Sequence, residues 1–379
     1  MGTWGKSQIL TGADQTRALA LVDEIVSAVV PWSTKTLESR PLAELALFLA
    51  TVSQRREVDV DFSDLIQRSI DAATAKPLRL CLDGLLSWSL AMDQVIQLLG
   101  SQSDICEASD RCLAESLEVV TPEADLQTDL FHGTAGCLAY LAQRPSTPLV
   151  ERVRTGLLER FEAQVGQMMT TSDSLDVGYA HGLAGLAAVL SDAVEGGWGH
   201  QRERQMLSRC VERILASRSS GRFSFPFPSG SGRVAWCRCD LGISIALLKS
   251  GRAMGESGLV ELARSIALKM ASVEPEASGV FDASLCHGAA GAGLMLGLLG
   301  DQLKEPEVLA SAVRWLNRVS TYRLADAPLA GFFYRVRPEE GERDNVSIVQ
   351  GVSGVGLALE LACGNVGGSE GWLKAFLFV

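Results

Sequence analysis

The sequence predicts an all-α protein, an (α/α)6 toroid with a double layer of six inner and six outer helices. Three observations carry this expectation. A short glycine phrase returns six times, an apolar helix follows each return, and an amphipathic stretch fills the intervals. A period near fifty residues with helical patterning marks a repeat of about two helices per unit. Helices apolar on every side belong inside, and amphipathic ones belong to an outer layer. A closed ring suits such pairs better than an open solenoid, because closure leaves no apolar end in water.

In chain order, residues 14–30 and 40–54 read as helices, with Pro31 and Pro41 marking their junction, and a third follows near 60–75. The whole chain, 1–379, reads as one toroidal domain, with 1–39 as an N-terminal helical extension. The phrase then begins at Cys81-Leu-Asp-Gly84. It returns as Phe131-His132-Gly133-Thr-Ala-Gly136, Ala180-His181-Gly182-Leu-Ala-Gly185 and Cys237-Arg238-Cys239-Asp-Leu-Gly242. Cys286-His287-Gly288-Ala-Ala-Gly291 and Val349-Gln350-Gly351-Val-Ser-Gly354 complete it. Registered on the first glycine, the intervals are 49, 49, 57, 49 and 63 residues, with Cys239 standing where the fourth glycine would be. Residues 150–169, 201–218, 259–272 and 306–320 fit the outer helices. The two longer intervals hold the least helical stretches. Residues 217–235 are rich in Pro, Gly and Ser, and 331–344 read as a short hairpin. Both belong at the toroid's edge, and the first runs straight into Trp236-Cys237.

Composition excludes some functions. A net charge of −11 without clustered Lys and Arg argues against a nucleic-acid partner. The 9 cysteines are odd in number and mostly sit in apolar helical patterns, which points to a reducing cytoplasm rather than a disulfide framework. No basic region followed by an apolar run opens the chain, so no signal peptide is expected. The nearest approach to a membrane span, Ala283 to Gly300, carries Cys286, His287 and five glycines, which suits a packed central helix and no transmembrane segment.

The phrase also carries the chemistry. In a toroid the same repeat position from every unit faces the central axis, so the glycines mark a common rim. Of the 4 histidines, His132, His181 and His287 each directly precede a repeat glycine, and only His200 lies elsewhere. Cysteine stands one place further back at Cys237 and Cys286. Cys237, Cys286 and His287 would form a Cys2His zinc site with one position open, the pattern of a catalytic ion. Two thiolates make such an ion a mild Lewis acid, suited to holding a further thiolate from a substrate. Cys239 is a competing thiol, but it takes the glycine position itself, where the inner helix begins.

Gly-Tyr-Ala-His181-Gly, Trp236-Cys237 and Cys286-His287-Gly, in that order, resemble the lanthionine synthetase C-like family, the lanthipeptide cyclases. The resemblance runs from about residue 40 through all six repeats. It implies an (α/α)6 toroid with one zinc ion at its mouth. It also implies an enzyme that adds cysteine thiols of a dehydrated precursor peptide to dehydroalanine or dehydrobutyrine, closing thioether rings. Matched motif by motif, it places the zinc ligands on Cys237, Cys286 and His287, and an acid–base residue on His181. The family's active-site aspartate falls on Asp129 and its arginine on Arg233. Asp129 also reads as an ordinary N-cap, and His132 as a cap or packing residue. Arg238 and Cys239 depart from the Tyr and Gly usual after the first zinc cysteine. The chain length suits a stand-alone cyclase. The resemblance then implies a complex with a separate dehydratase and a peptide exporter, cytoplasmic or peripheral at the inner membrane.

Three other readings compete. One is a non-catalytic family member that binds a thiol such as glutathione or scaffolds a complex. Another is a zinc-dependent thiol alkyltransferase on a related toroid, such as a prenyltransferase β-subunit, although the Asp, Cys and His ligand set of those enzymes is not recognisable. A toroidal glycosidase would need two opposed carboxylates that the sequence does not offer.

Overall fold

The computed structural model describes residues 8–119, 128–171, 176–227, 231–335, 337, 339 and 341–365. Residues 1–7 of the N-terminal extension, and 228–230, 336, 338 and 340 of the two long inserts, lie outside the described residues. Fourteen α-helices make up the described fold. They are α1 (Gly12–Val29), α2 (Ser39–Ser53), α3 (Phe62–Ala75), α4 (Ser87–Leu98), α5 (Ile105–Val119), α6 (Thr134–Ala142) and α7 (Pro148–Thr171). After these come α8 (Leu183–Glu195), α9 (Gln201–Ala216), α10 (Asp240–Met254), α11 (Ser257–Ala271), α12 (Ala289–Leu303), α13 (Pro306–Arg318) and α14 (Val352–Ala362).

The apolar and amphipathic patterns sort these helices into two layers, as the repeat predicts. Every residue from Ala289 to Gly300 of α12 is buried, as is every residue of α14. The outer α13 buries one face, Val308, Ser311, Ala312, Trp315 and Leu316. Each inner helix packs on the outer helix that follows it, α8 on α9, α10 on α11 and α12 on α13. Around the ring α6 meets α8, α8 meets α10, α10 meets α12 and α12 meets α14.

The ring closes through α2. This helix packs on α14 at one side and α4 at the other, and all its residues from Leu42 to Val52 are buried. The six phrase-led helices therefore stand in an inner layer of seven, with α1, α3, α5, α7, α9, α11 and α13 outside. Repeat counting starts one helix late because no glycine phrase precedes α2. The first outer helix, α1, lies against α14, the last inner one, and Ile9 and Leu10 donate to the Ala362 carbonyl. Full burial of each inner Leu or Val contributes roughly 1.5–3 kcal/mol, so this double layer is where the fold's stability resides.

The second glycine of the phrase has a steric cause. At Gly136, Gly185, Gly242, Gly291 and Gly354 a Cβ would fall well inside 3.0 Å of the carbonyl oxygen six residues earlier. The inner helix starts directly beneath the loop that feeds it, and only a residue without a side chain fits there. No helix among the described residues is long and apolar enough to cross a membrane.

Candidate metal centre and the cavity around it

All seven inner helices begin at one mouth. The cavity there, about 430 Å³, is lined by Arg40 in the first turn of α2, Asp83 ahead of α4, and His132 and His181 ahead of α6 and α8. Cys237, His287 and Gln350 come from the turns before α10, α12 and α14. Backbone bonds stitch neighbouring phrases together, from Asp83 N to Phe131 O (2.8 Å), Ala180 N to Cys237 O (2.9 Å) and Cys286 N to Val349 O (2.8 Å). Helix N-termini carry unsatisfied N–H groups and the positive end of the dipole, so their convergence favours negative charge in this space.

Cys237, Cys286 and His287 converge here, with donor atoms within 4.8 Å of one another. Cys286's thiol hydrogen-bonds to Cys237 and, against burial, holds it well below the usual thiol range, with His287 adding to the effect. The same bond, together with burial, pushes Cys286 well above that range. Burial alone would lower the His287 imidazolium, but Asp282 and Cys237 outweigh it and raise the group to about 9. His287 Nε2 donates to the carbonyl oxygen of Arg335 at 2.9 Å and lies 3.5 Å from Asp282 Oδ2. Because a carbonyl can only accept, Nε2 carries the proton and Nδ1 is the nitrogen left for a metal. An oriented imidazole backed by a buried carboxylate is the outer support that metal-ligating histidines have. Two soft thiols and a pre-oriented imidazole fit zinc.

Cys239 is not part of this group. It caps α10 with φ 67° and ψ −160°, a region that normally requires glycine, and burial pushes its thiol up to about 12. The other first glycines keep a negative φ, as at Gly182 (φ −141°) and Gly351 (φ −112°), where a Cβ would collide with the backbone of Asp176 or Asn345. The one repeat that carries a side chain at this position thus adopts a different turn.

The second convergence is Asp129, His132 and His181. His181 Nδ1 lies 3.1 Å from Asp129 Oδ2, while Asp129 Oδ1 accepts from the backbone N of His132 at 2.6 Å. Burial would raise the Asp129 carboxyl, but the bonds to His181 and His132 outweigh it and lower it. Asp129 therefore caps the turn rather than α6, whose N-cap is Gly133. His132 is neither cap nor core. Its ring stacks on that of His181, centroids 5.4 Å apart at 10°, and faces the cavity. Arg233 also lines the cavity, lying over the rings of Phe227 (5.5 Å) and Phe281 (4.9 Å).

Sequence reasoning missed Asp282, Tyr334, Arg335, Asp83 and Arg40. For Asp282 a signal exists. Asp176, Asp282 and Asn345 each lie six residues before a phrase glycine. Each accepts a backbone bond from two residues on, at 2.7–2.9 Å, closing the same Asx turn. Arg233 takes this place in the fourth repeat. Both long inserts build the wall. The carboxylate of Asp240 accepts from Ser224 N and Phe225 N at 2.8 Å each, and Tyr334 pairs with Arg343 in a short antiparallel bridge. That bridge presents the Arg335 carbonyl to His287 and sets the Tyr334 ring 5.4 Å from it.

No curated protein matches the chain. Among solved structures, nisin cyclase superposes with a TM-score of 0.74 at 17% identity, covering 96% of this chain and 98% of its own. A glycosyl hydrolase family 88 protein from Bacteroides vulgatus reaches a TM-score of 0.43 at 13% identity, covering 92% and 98%. The first likeness shows a shared helical toroid. The family described as lanthionine synthetase C-like protein matches residues 45–365, across all six phrases and both clusters. The chain belongs to the lanthionine synthetase C-like family.

Proposed function

We propose that the protein is a zinc-dependent lanthipeptide cyclase, joining cysteine thiols to dehydroalanine or dehydrobutyrine within a dehydrated precursor peptide. The observation that carries this reading is one cavity lined by both the Cys2His donor set and His181, with Asp129 paired behind the His181 ring. Cys237, Cys286 and Nδ1 of His287 would hold one zinc ion, which when bound supplies Lewis acidity that keeps a substrate thiol deprotonated near neutral pH. The remaining work falls to the protein's own groups. Asp129 accepts the Nδ1 proton of His181 and so turns Nε2 toward the cavity. From there His181 takes the thiol proton. As the S–Cβ bond forms, the alkene pair moves to the α-carbon and carbonyl, and His181 returns a proton to the α-carbon. Arg233 and the converging helix N-termini offset the negative charge that develops meanwhile.

The partners are then the dehydrated precursor and a separate dehydratase, with a peptide exporter in the same complex. The setting is then cytoplasmic, peripheral at the inner membrane through that complex; the nine cysteines stand free, in accord with a reducing compartment. The test is ring closure on a dehydrated peptide by the zinc-loaded protein, counted as thiols protected from alkylation in mass spectrometry. Turnover supports the cyclase. A zinc-loaded protein inert toward such peptides, yet retaining glutathione, assigns the cavity to thiol binding instead.

A further inference from the structure

His132 has no task in the chemistry above, yet its ring occupies the same cavity as His181. Its Nδ1 lies 3.6 Å from Asp129 Oδ2 and its Nε2 3.6 Å from Asp83 Oδ2, both beyond hydrogen-bond reach. We propose that Asp129, His132 and His181 form a second divalent-cation site, built of nitrogen and oxygen donors, whose filling withdraws His181 from proton transfer.

The spacing fits an ion. A tetrahedral zinc with ligands at about 2.1 Å sets its donor atoms about 3.4 Å apart. The two edges converging on Asp129 Oδ2 measure 3.1 Å from His181 Nδ1 and 3.6 Å from His132 Nδ1, on either side of that value. All three donors lie within 4.8 Å of one another. Asp129 is held in place by the backbone of His132, so one ligand is already fixed. At the two imidazoles, local carboxylate charge favours a cation against the positive helix N-termini of the wider cavity. Asp129 faces both imidazoles and Asp83 faces that of His132, and the Arg40 guanidinium that answers Asp83 at 2.7 Å is shared with buried Glu44 at 3.3 Å.

Two imidazoles and one carboxylate leave coordination positions open, and the borderline character of imidazole selects zinc, cobalt or nickel over magnesium. The side chains of His132 and His181 are 30% and 34% exposed, so an ion could enter and leave from the cavity. Without thiolates this site should bind more weakly than the Cys2His set and fill only when metal is in excess. Its consequence for turnover rests on the cyclase reading, but the binding itself does not.

Cobalt titration of the purified protein tests the site. Expected are two equivalents, the first with thiolate-to-cobalt charge-transfer absorption and the second with ligand-field bands only. His132→Gln should retain the first and weaken the second by at least about 10- to 100-fold. Asp129→Asn should do the same, whereas Cys237→Ser should lose the first and keep the second. A missing second equivalent in the wild type, or its survival in both His132→Gln and Asp129→Asn, overturns the site. In ring-closure assays, excess zinc should inhibit the wild type and spare His132→Gln. Equal inhibition of both would overturn the link to His181, while absence of any turnover at stoichiometric zinc would count against the cyclase reading alone.

Discussion

Nδ1 of His181 lies 3.1 Å from Oδ2 of Asp129, although the two residues are 52 positions apart and belong to successive repeats. A carboxylate can only accept, so the pairing fixes the imidazole tautomer and leaves Nε2 as the atom that the proposed mechanism uses. His181→Ala is expected to keep the fold and its zinc while ring closure falls ~10²–10⁴-fold. Mass spectrometry after thiol alkylation would count the uncyclised cysteines, and wild-type turnover would remove His181 from the mechanism.

Asp129→Asn separates orientation from presence. The amide oxygen still accepts from His132 N, but the NH2 group then faces His181 Nδ1 and selects the other tautomer. Turnover should drop to nearly the level of His181→Ala, with thermal unfolding little changed. Nitrogen chemical shifts of the His181 ring would show the tautomer exchange, and an unchanged tautomer with unchanged rate would refute the assignment.

Cys237 and Cys239 are expected to behave in opposite ways. Cys237→Ala should lose zinc and activity together. Cys239→Gly should retain zinc and raise stability by about 1 kcal/mol, because φ 67° with ψ −160° is strained for any residue with a side chain. Metal analysis and denaturant unfolding decide both. Tightly held zinc in Cys237→Ala, or its loss from Cys239→Gly, would reverse the ligand assignment.

Asp282 touches no metal donor atom of the sulfurs, yet it stands 3.5 Å behind His287 Nε2 and is fully buried. Asp282→Asn should weaken zinc affinity by about 10- to 100-fold without removing a ligand. Competition against a chromophoric chelator gives the number, and unchanged affinity would leave Asp282 a purely structural role, in its Asx turn with Ser284 and its bond from Arg335 N.

The glycine phrase predicts an asymmetric response to alanine. Gly185→Ala drives a Cβ into the Tyr179 carbonyl and should cost about 1–3 kcal/mol. Gly258→Ala, on outer helix α11 with nothing near its Cβ, should be neutral or stabilising by about 0.5–1 kcal/mol. Equal effects in urea unfolding would remove the steric account of the repeat.

The sequence by itself determined the all-α double layer and the shared rim, because both follow from local patterns. Apolar-all-round segments such as 289–300 can only be interior, and a glycine forced by a close carbonyl recurs wherever the same turn recurs. Equal repeat positions around a ring must meet at its axis, so His181, Cys237, Cys286 and His287 were legible as neighbours before any coordinates. What only the tertiary structure decided lies off that register. Helix α2 enters the inner ring through packing on α14 and α4, which no phrase announces. The partner of His287 is the carbonyl of Arg335, from a two-stranded bridge 48 residues away, and a backbone atom leaves no mark on residue identity. Which side of the His132 ring meets which carboxylate depends on the angle between adjacent repeats, a quantity set by the closed ring as a whole.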